Sequence, residues 1–212
     1  MGNPFDPMNI ILVLFAVVAF VRLRAALGKR TGNEDPLNEG KTIRSQFHEK
    51  TKAPVPKEET TMSTEEALKQ LSTNDKNFSA SSFTDGAKNA YKMIVTAYAE
   101  GDLKQVKSFL SKDVYGGFSA AIQSRKKSEQ ELFNEIVGFN EVSINKAILL
   151  ERKIEITVLF ETKIISYATD KSGQTIEGNQ DSPQNINDVW VFEKSIKGAD
   201  TSWLLISTGT DD

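Results

Sequence analysis

The run RKIEITVLFETKIISYAT, from Arg152 to Thr169, limits the fold more than any other stretch. It puts Ile154, Ile156, Val158 and Phe160 on one side and Glu155, Thr157, Glu161 and Lys163 mostly on the other. A period-two alternation of this length, rich in β-branched residues, is a strand with one face in a core. The alternation drifts after Phe160, where Ile164 and Ile165 are adjacent, so a bulge or strong bend is expected there. Upstream, Val142, Ile144, Lys146 and Ile148 alternate with Glu141, Ser143, Asn145 and Ala147. Downstream, Asp170 to Gly173 gives a turn, and Asp188 to Lys194 and Ser202 to Ser207 give two more strands, joined across Lys197 to Asp200.

Before Ile136 the period is that of a helix. Ser63 and Glu66 are spaced as a capping box, which starts a helix near Thr64 that runs through Leu68 and Leu71. Phe83, Ala87, Ala90, Tyr91, Ile94, Ala97 and Tyr98 share one face of a second helix, with Gly101 placed to end it and Asp102 to cap the next. Leu103, Val106, Phe109 and Leu110 suggest a short helix. Val114, Phe118, Ala121 and Ile122 suggest another, ending near the basic run Arg125, Lys126, Lys127. Helices first and consecutive strands after predict an α+β domain, with N-terminal helices packed on a curved antiparallel sheet. A long strand in a small sheet curves, and a curved sheet under helices leaves a cone with a cavity between the layers.

The charge distribution divides the chain into parts. Met8 to Val21, MNIILVLFAVVAFV, has no charged residue. Ile10, Ile11, Leu12, Val13, Leu14, Phe15, Val17, Val18, Phe20 and Val21 together favour membrane insertion by about 3–6 kcal/mol. Extending the helix from Phe5 to Leu27 brings it to spanning length if Arg22 and Arg24 snorkel towards the headgroups. A cleaved signal peptide would carry its positive charges before the apolar run, whereas here Arg22, Arg24, Lys29 and Arg30 follow it. Residues 1–27 are therefore expected to be a single transmembrane anchor, with these cations at the headgroups and the rest of the chain on the cytoplasmic or matrix side. A helix packed into a partner protein is the alternative. Residues 28–62, with nine Lys/Arg and six Asp/Glu over 21–60, read as a flexible polar linker; His48 lies there as a solvated residue. Residues 63–212 form the folded domain.

Composition narrows the chemistry. No cysteine and a single histidine remove thiolate chemistry and mechanisms that need two imidazoles. A net charge of -3 argues against nucleic acid as a partner. Catalysis in a cone fold would need a carboxylate with a raised pKa in the apolar cavity. The inward positions Ile154, Ile156, Val158 and Phe160 include no acid, Asp113 beside Tyr115 reads as a helix cap, and Glu177 beside Gly178 reads as a turn residue. No enzyme activity, cofactor or metal is expected.

The stretch FTDGAKNAYKMIVTAYAEGDLKQVKSFLSKDVYGGFSAAIQSR, Phe83 to Arg125, resembles the helical half of the Tim-forty-four-like domain. The segments KIEITVLFETKI, IEGN, NDVWVFEK and SWLLIST resemble its sheet half. The apolar run followed by RLRAALGKRTG resembles the bacterial TimA-type members. The most specific marks are GAK before the helix, the Gly101-Asp102-Leu103 turn, Phe118 with Arg125, and Asp188-x-Trp190-x-Phe192. Lys194 departs from the arginine more often found there, which bears on bidentate pairing and not on the fold.

The resemblance implies a membrane-associated adaptor domain with a large apolar pocket, shaped like the nuclear transport factor two-like cone. It further implies a single-pass protein of the bacterial inner membrane with a cytoplasmic domain, the matrix face of the mitochondrial inner membrane being the alternative. The mitochondrial relative tethers a heat-shock chaperone to an import channel, a role that does not transfer by resemblance alone. The leading expectation is an adaptor that assists protein translocation or membrane-protein handling. Membrane lipids and a protein are its expected partners, and a polypeptide or a lipid acyl chain is the expected guest. The expected pocket is formed by Tyr91, Ile94, Tyr98, Phe118, Ile122, Ile156, Val158, Trp190 and Phe192. The rival expectations are a small isomerase-like enzyme and a purely structural subunit whose cavity is filled by its own side chains.

Overall fold

A computed structural model describes residues 62–196 and 202–210. The expected anchor from Ile10 to Val21, its flank Arg22, Arg24, Lys29 and Arg30, and His48 lie outside the described residues, as does the connection 197–201. Among the described residues no helix is long and apolar enough to cross a membrane.

The first helix begins at a reciprocal cap. Ser63 Oγ accepts from Glu66 N at 3.2 Å, and the Glu66 carboxylate accepts from Ser63 N at 3.0 Å. Two otherwise orphaned donors are satisfied, and α1 runs over Thr64–Asn74, burying Ala67 and Leu71. Helix α2, Ala80–Glu100, is capped by Ser79 and buries Phe83, Ala87, Tyr91, Ile94, Ala97 and Tyr98. Gly101 ends it in the left-handed conformation at φ 72°, where a side chain would be strained.

The next segment departs from its helical spacing. Between Leu103 and Leu110 the chain forms turns and a single 3-10 helix, Lys107–Phe109. Asp102 Oδ1 accepts from Lys104 N at 3.1 Å, closing a turn instead of capping a helix. Leu103, Val106 and Leu110 are buried as their apolar character requires, but the backbone at the end of the segment pairs elsewhere. Leu110 bridges Leu205 in parallel, and Ser111 N donates to Leu205 O at 2.9 Å. Helix α3, Lys112–Lys127, is capped by Ser111 and buries Val114, Gly117, Phe118 and Ile122. Asp113, expected as its cap, is an exposed first-turn residue suited to the helix dipole.

Four antiparallel strands follow in chain order: β1 Glu131–Leu149, β2 Lys153–Thr169, β3 Thr175–Ser195 and β4 Leu204–Thr210. Strand β1 starts well before the alternation at Glu141. Its register shifts between Ile136 and Gly138, between Phe139 and Glu141, and between Ile144 and Lys146. Each shift resets the face on which side chains emerge, so no single period-two pattern runs along the strand. Such irregularities bend the sheet over the helices.

The irregularity expected near Ile164 is present: Ile164 pairs with Gln184 and Ser166 with Asn179, leaving residues 180–183 looped out of the register. Asn179 Oδ1 holds that loop by accepting from Asp181 N at 2.8 Å and Ser182 N at 3.2 Å. Ile154, Ile156, Val158 and Phe160 have no exposed surface and form the floor of the core beneath the helices. Each contributes about 1.5–3 kcal/mol by leaving water.

Candidate functional site

Beyond Phe160 the inner face of β2 becomes smaller and more polar, running through Thr162, Ile164, Ser166 and Ala168. Small floor residues under an unbroken helix leave space. A cavity of about 230 Å³ lies there between α2, α3 and the distal ends of β1, β2 and β3. Tyr91, Ile94 and Tyr98 from α2, Phe118 and Ala121 from α3, and Trp190 from β3 give it an apolar wall. Tyr98 and Phe118 meet edge-on with ring centroids 5.2 Å apart, while Tyr91 lies 4.7 Å from both Phe160 and Trp190.

Of the nine expected pocket residues, Tyr91, Ile94, Tyr98, Phe118 and Trp190 face this cavity. Phe192 lies instead on a second depression at the other end of α2, with Phe83 and Trp203. Ile122, Ile156 and Val158 line neither space, being 5%, 0% and 0% exposed within the packed core.

The inward face also contains an acid, contrary to the reading of β2 alone. Asp188 is 6% exposed, lines the cavity, and accepts a hydrogen bond at Oδ2 from Tyr91 Oη at 2.5 Å. Burial pushes its carboxyl up to about 6, against the hydrogen bond from Tyr91, which favours the charged form. The Tyr91 hydroxyl is pushed up strongly by burial and by the neighbouring carboxylate, so it remains protonated. Asp188 sits two and four residues before Trp190 and Phe192, and the alternation of that strand alone puts all three on one face. The signal for this acid lies in β3, whose alternation carries the inward face from Phe192 and Trp190 back to Asp188.

Glu177 is also a wall residue. It belongs to β3 opposite Ala168, not to a turn, and burial raises its carboxyl above the ordinary range. Its neighbour Gly178 has φ 79°, and a Cβ there would lie 2.2 Å from Ser166 O. The close approach of β2 and β3 at this rim therefore requires glycine.

Arg125 is no freely solvated helix end. Its Nη2 donates to Tyr98 O at 2.7 Å and Ala99 O at 2.9 Å, and its guanidinium lies 5.0 Å from the Tyr98 ring centroid. It thereby satisfies carbonyls of the last turn of α2 and closes one side of the cavity. Lys194 makes an ion pair with Asp75 at 2.6 Å, the one-point contact that a lysine can supply.

Among the described residues, no group of three or more His, Cys, Asp or Glu side chains is arranged to hold a metal. The chemistry available in the cavity is an aromatic and aliphatic wall, one buried carboxyl that accepts a hydrogen bond from the Tyr91 phenol, and a second carboxyl at the rim.

The family model of the Tim44-like domain matches residues 64–210, the whole of the helix-and-sheet unit. The chain belongs to the Tim44-like domain family. Mitochondrial import inner membrane translocase subunit TIM44-1 of Arabidopsis thaliana is 25% identical over 126 residues, 59% of this chain and 27% of that protein. The probable mitochondrial import inner membrane translocase subunit tin-44 of Caenorhabditis elegans is 22% identical over 105 residues, 49% of this chain and 25% of its own length. The matched part thus spans about a quarter of each of these relatives. A solved structure of the intermembrane space region of the chloroplast protein ARC6 aligns with a TM-score of 0.43 at 6% identity, covering 63% of this chain and 97% of that one.

Proposed function

We propose that this chain is a membrane-associated adaptor of protein translocation whose Tim44-like domain holds an apolar group of a passing polypeptide in the cavity between α2, α3 and the sheet. The observation that supports this reading is the cavity itself: aromatic walls from two helices and a strand, with room for a side chain. The matched relatives carry names as import translocase subunits, which favours a polypeptide over a free acyl chain as the guest. Their names also favour the mitochondrial inner membrane, whereas the bacterial single-pass reading rests on the resemblance of the segment from Arg22 to Gly32. The apolar run at residues 8–21 is the proposed tether, raising the effective concentration of the domain near its membrane partners. Deleting residues 1–27 should move the protein to the soluble fraction with its domain folded; unfolding on release would overturn the modular arrangement.

The test of the guest site is photocrosslinking from a benzoylphenylalanine in place of Phe118, in the full chain on its membrane, during translocation of a labelled precursor. A benzoylphenylalanine at exposed Lys69 serves as control. Adducts from position 118 well above the control support the reading. Equal yields from both positions contradict it.

A second reading, proton transfer by a cone-fold enzyme, is favoured by the presence of a buried Asp188 beside Tyr91 on the cavity wall. Against it, the Tyr91 hydroxyl already donates its one hydrogen bond to Asp188, so the phenol is not free to stabilise a developing oxyanion. Turnover of a β,γ-unsaturated ketone, lost on Asp188→Asn, would establish this reading in place of the adaptor.

A further inference from the structure

We infer that the cavity is selective for a cation, and that it takes a protonated alkylamine with its hydrocarbon stem against the aromatic wall and its ammonium at Asp188. This rests on the reading of the cavity as a guest site and specifies the chemistry of the guest. The geometry begins with an imbalance of charge. Asp188 is 6% exposed and faces the cavity, and a carboxylate offers about four acceptor positions, of which Tyr91 Oη takes one. Among the described residues no lysine or arginine forms an ion pair with it. The one basic side chain on the wall, Arg125, directs its Nη2 to Tyr98 O and Ala99 O.

The charged and titratable groups around the space are thus Tyr91 and Tyr98 from α2, Arg125 from α3, and Asp188 and Glu177 from β3. From β1 the wall receives Leu132 and Asn134, with Gln130 just before the strand, and β2 contributes Ile164, Ser166 and Ala168. Two carboxyls therefore face the guest, against one guanidinium already engaged with backbone carbonyls.

The rest of the wall suits the same ligand. The rings of Tyr91, Tyr98, Phe118 and Trp190 offer π-faces that attract a cation and exclude an anion, while they desolvate a hydrocarbon stem. A volume of about 230 Å³ corresponds to about seven or eight heavy atoms at the ~30 Å³ that a water molecule occupies in the liquid. That is the size of n-hexylamine or of a lysine side chain with part of its backbone. An ammonium also relieves the desolvation that raises the Asp188 carboxyl, so proton and amine compete for the same oxygen.

The test titrates the full chain with n-hexylamine, n-hexanol and hexanoate, following Trp190 emission in a Trp203→Phe background and confirming by calorimetry. At pH 7.5 the amine is expected to bind at least about tenfold more tightly than the alcohol, with no binding of hexanoate. With the Asp188 carboxyl at about 6, one pH unit lower leaves about a tenth of it ionised, so amine affinity at pH 5 should fall about tenfold while that of hexanol stays constant. Asp188→Asn should abolish the preference for amine and leave hexanol binding intact, and Glu177→Gln should weaken it less.

Equal affinity for amine and alcohol in the wild type overturns the cation inference and leaves the apolar guest site standing. Failure of every probe to bind overturns the guest site itself. A second arm compares an alanine-based peptide carrying one lysine with its norleucine counterpart. Preference for the lysine peptide supports a polypeptide as the source of the amine, and binding of n-hexylamine alone supports a small amine.

Discussion

Replacing Asp188 by asparagine should make the protein more stable, and only above a particular pH. The carboxyl is raised from 3.8 to about 6 in the folded protein, principally by loss of solvent. Between those two values the folded state holds a proton that the unfolded state has released, so stability declines as pH rises through that window. A shift of about two units corresponds to about 3 kcal/mol lost between pH 4 and pH 7. Asparagine keeps the shape and an acceptor for Tyr91 Oη but cannot ionise, so the variant should lack this decline.

At pH 4 the two proteins should be equally stable. At pH 8 the variant should lead by about 3 kcal/mol, or about 6–12 °C in Tm for a domain of this size. The assay is urea unfolding of the full chain from pH 4 to 8, followed by emission of Trp190 and Trp203. Lowered carboxyls such as Asp75 and Asp170 act in the opposite direction at acid pH, but they are common to both proteins and cancel in the difference. Parallel pH profiles for wild type and variant would refute the placing of Asp188 in a poorly solvated wall.

Gly178→Ala should cost about 3 kcal/mol or more, because φ 79° is strained for alanine and its Cβ would meet Ser166 O at 2.2 Å; urea midpoints read the loss. Arg125→Ala removes two charge-assisted bonds to the end of α2 and should cost about 1.5–3 kcal/mol, with faster amide hydrogen exchange at residues 97–101. Lys194→Met leaves Asp75 without its 2.6 Å partner and should cost about 2 kcal/mol, most of which Asp75→Asn in the same chain should restore; a double-mutant cycle measures the coupling.

The sequence was most legible where one face of one element decides the pattern. The capping box at Ser63, the buried stripe of α2, the left-handed Gly101 and the inward row Ile154, Ile156, Val158, Phe160 all satisfy local rules that tertiary contacts reinforce. Legibility failed where the backbone leaves its own period. Strand β1 changes register at Ile136, Phe139 and Ile144, and each change hides the alternation to either side. The first half of β3 is polar and loops out at residues 180–183, so nothing in its composition marks a strand. Leu103 to Leu110 have helical spacing, yet the backbone ends this segment by bridging Leu205.

The cavity was partly visible for the same reasons. Its aromatic wall follows from helix and strand faces, whereas its size depends on the small residues Ser166 and Ala168 beneath Tyr98 and Phe118, a three-dimensional coincidence. Asp188 could be placed by counting back from Trp190. The engagement of Arg125 with the end of α2 could not, because it depends on how α2 and α3 meet.

The most direct test is to fill the cavity. Ala121 is half-buried on its α3 wall at the edge of the core, and Ala121→Phe would place a ring in the space. The filled protein should retain wild-type membrane association and a cooperative unfolding transition, yet lose precursor crosslinking from position 118. Undiminished crosslinking in a correctly folded, filled protein would mean that the guest never sat there.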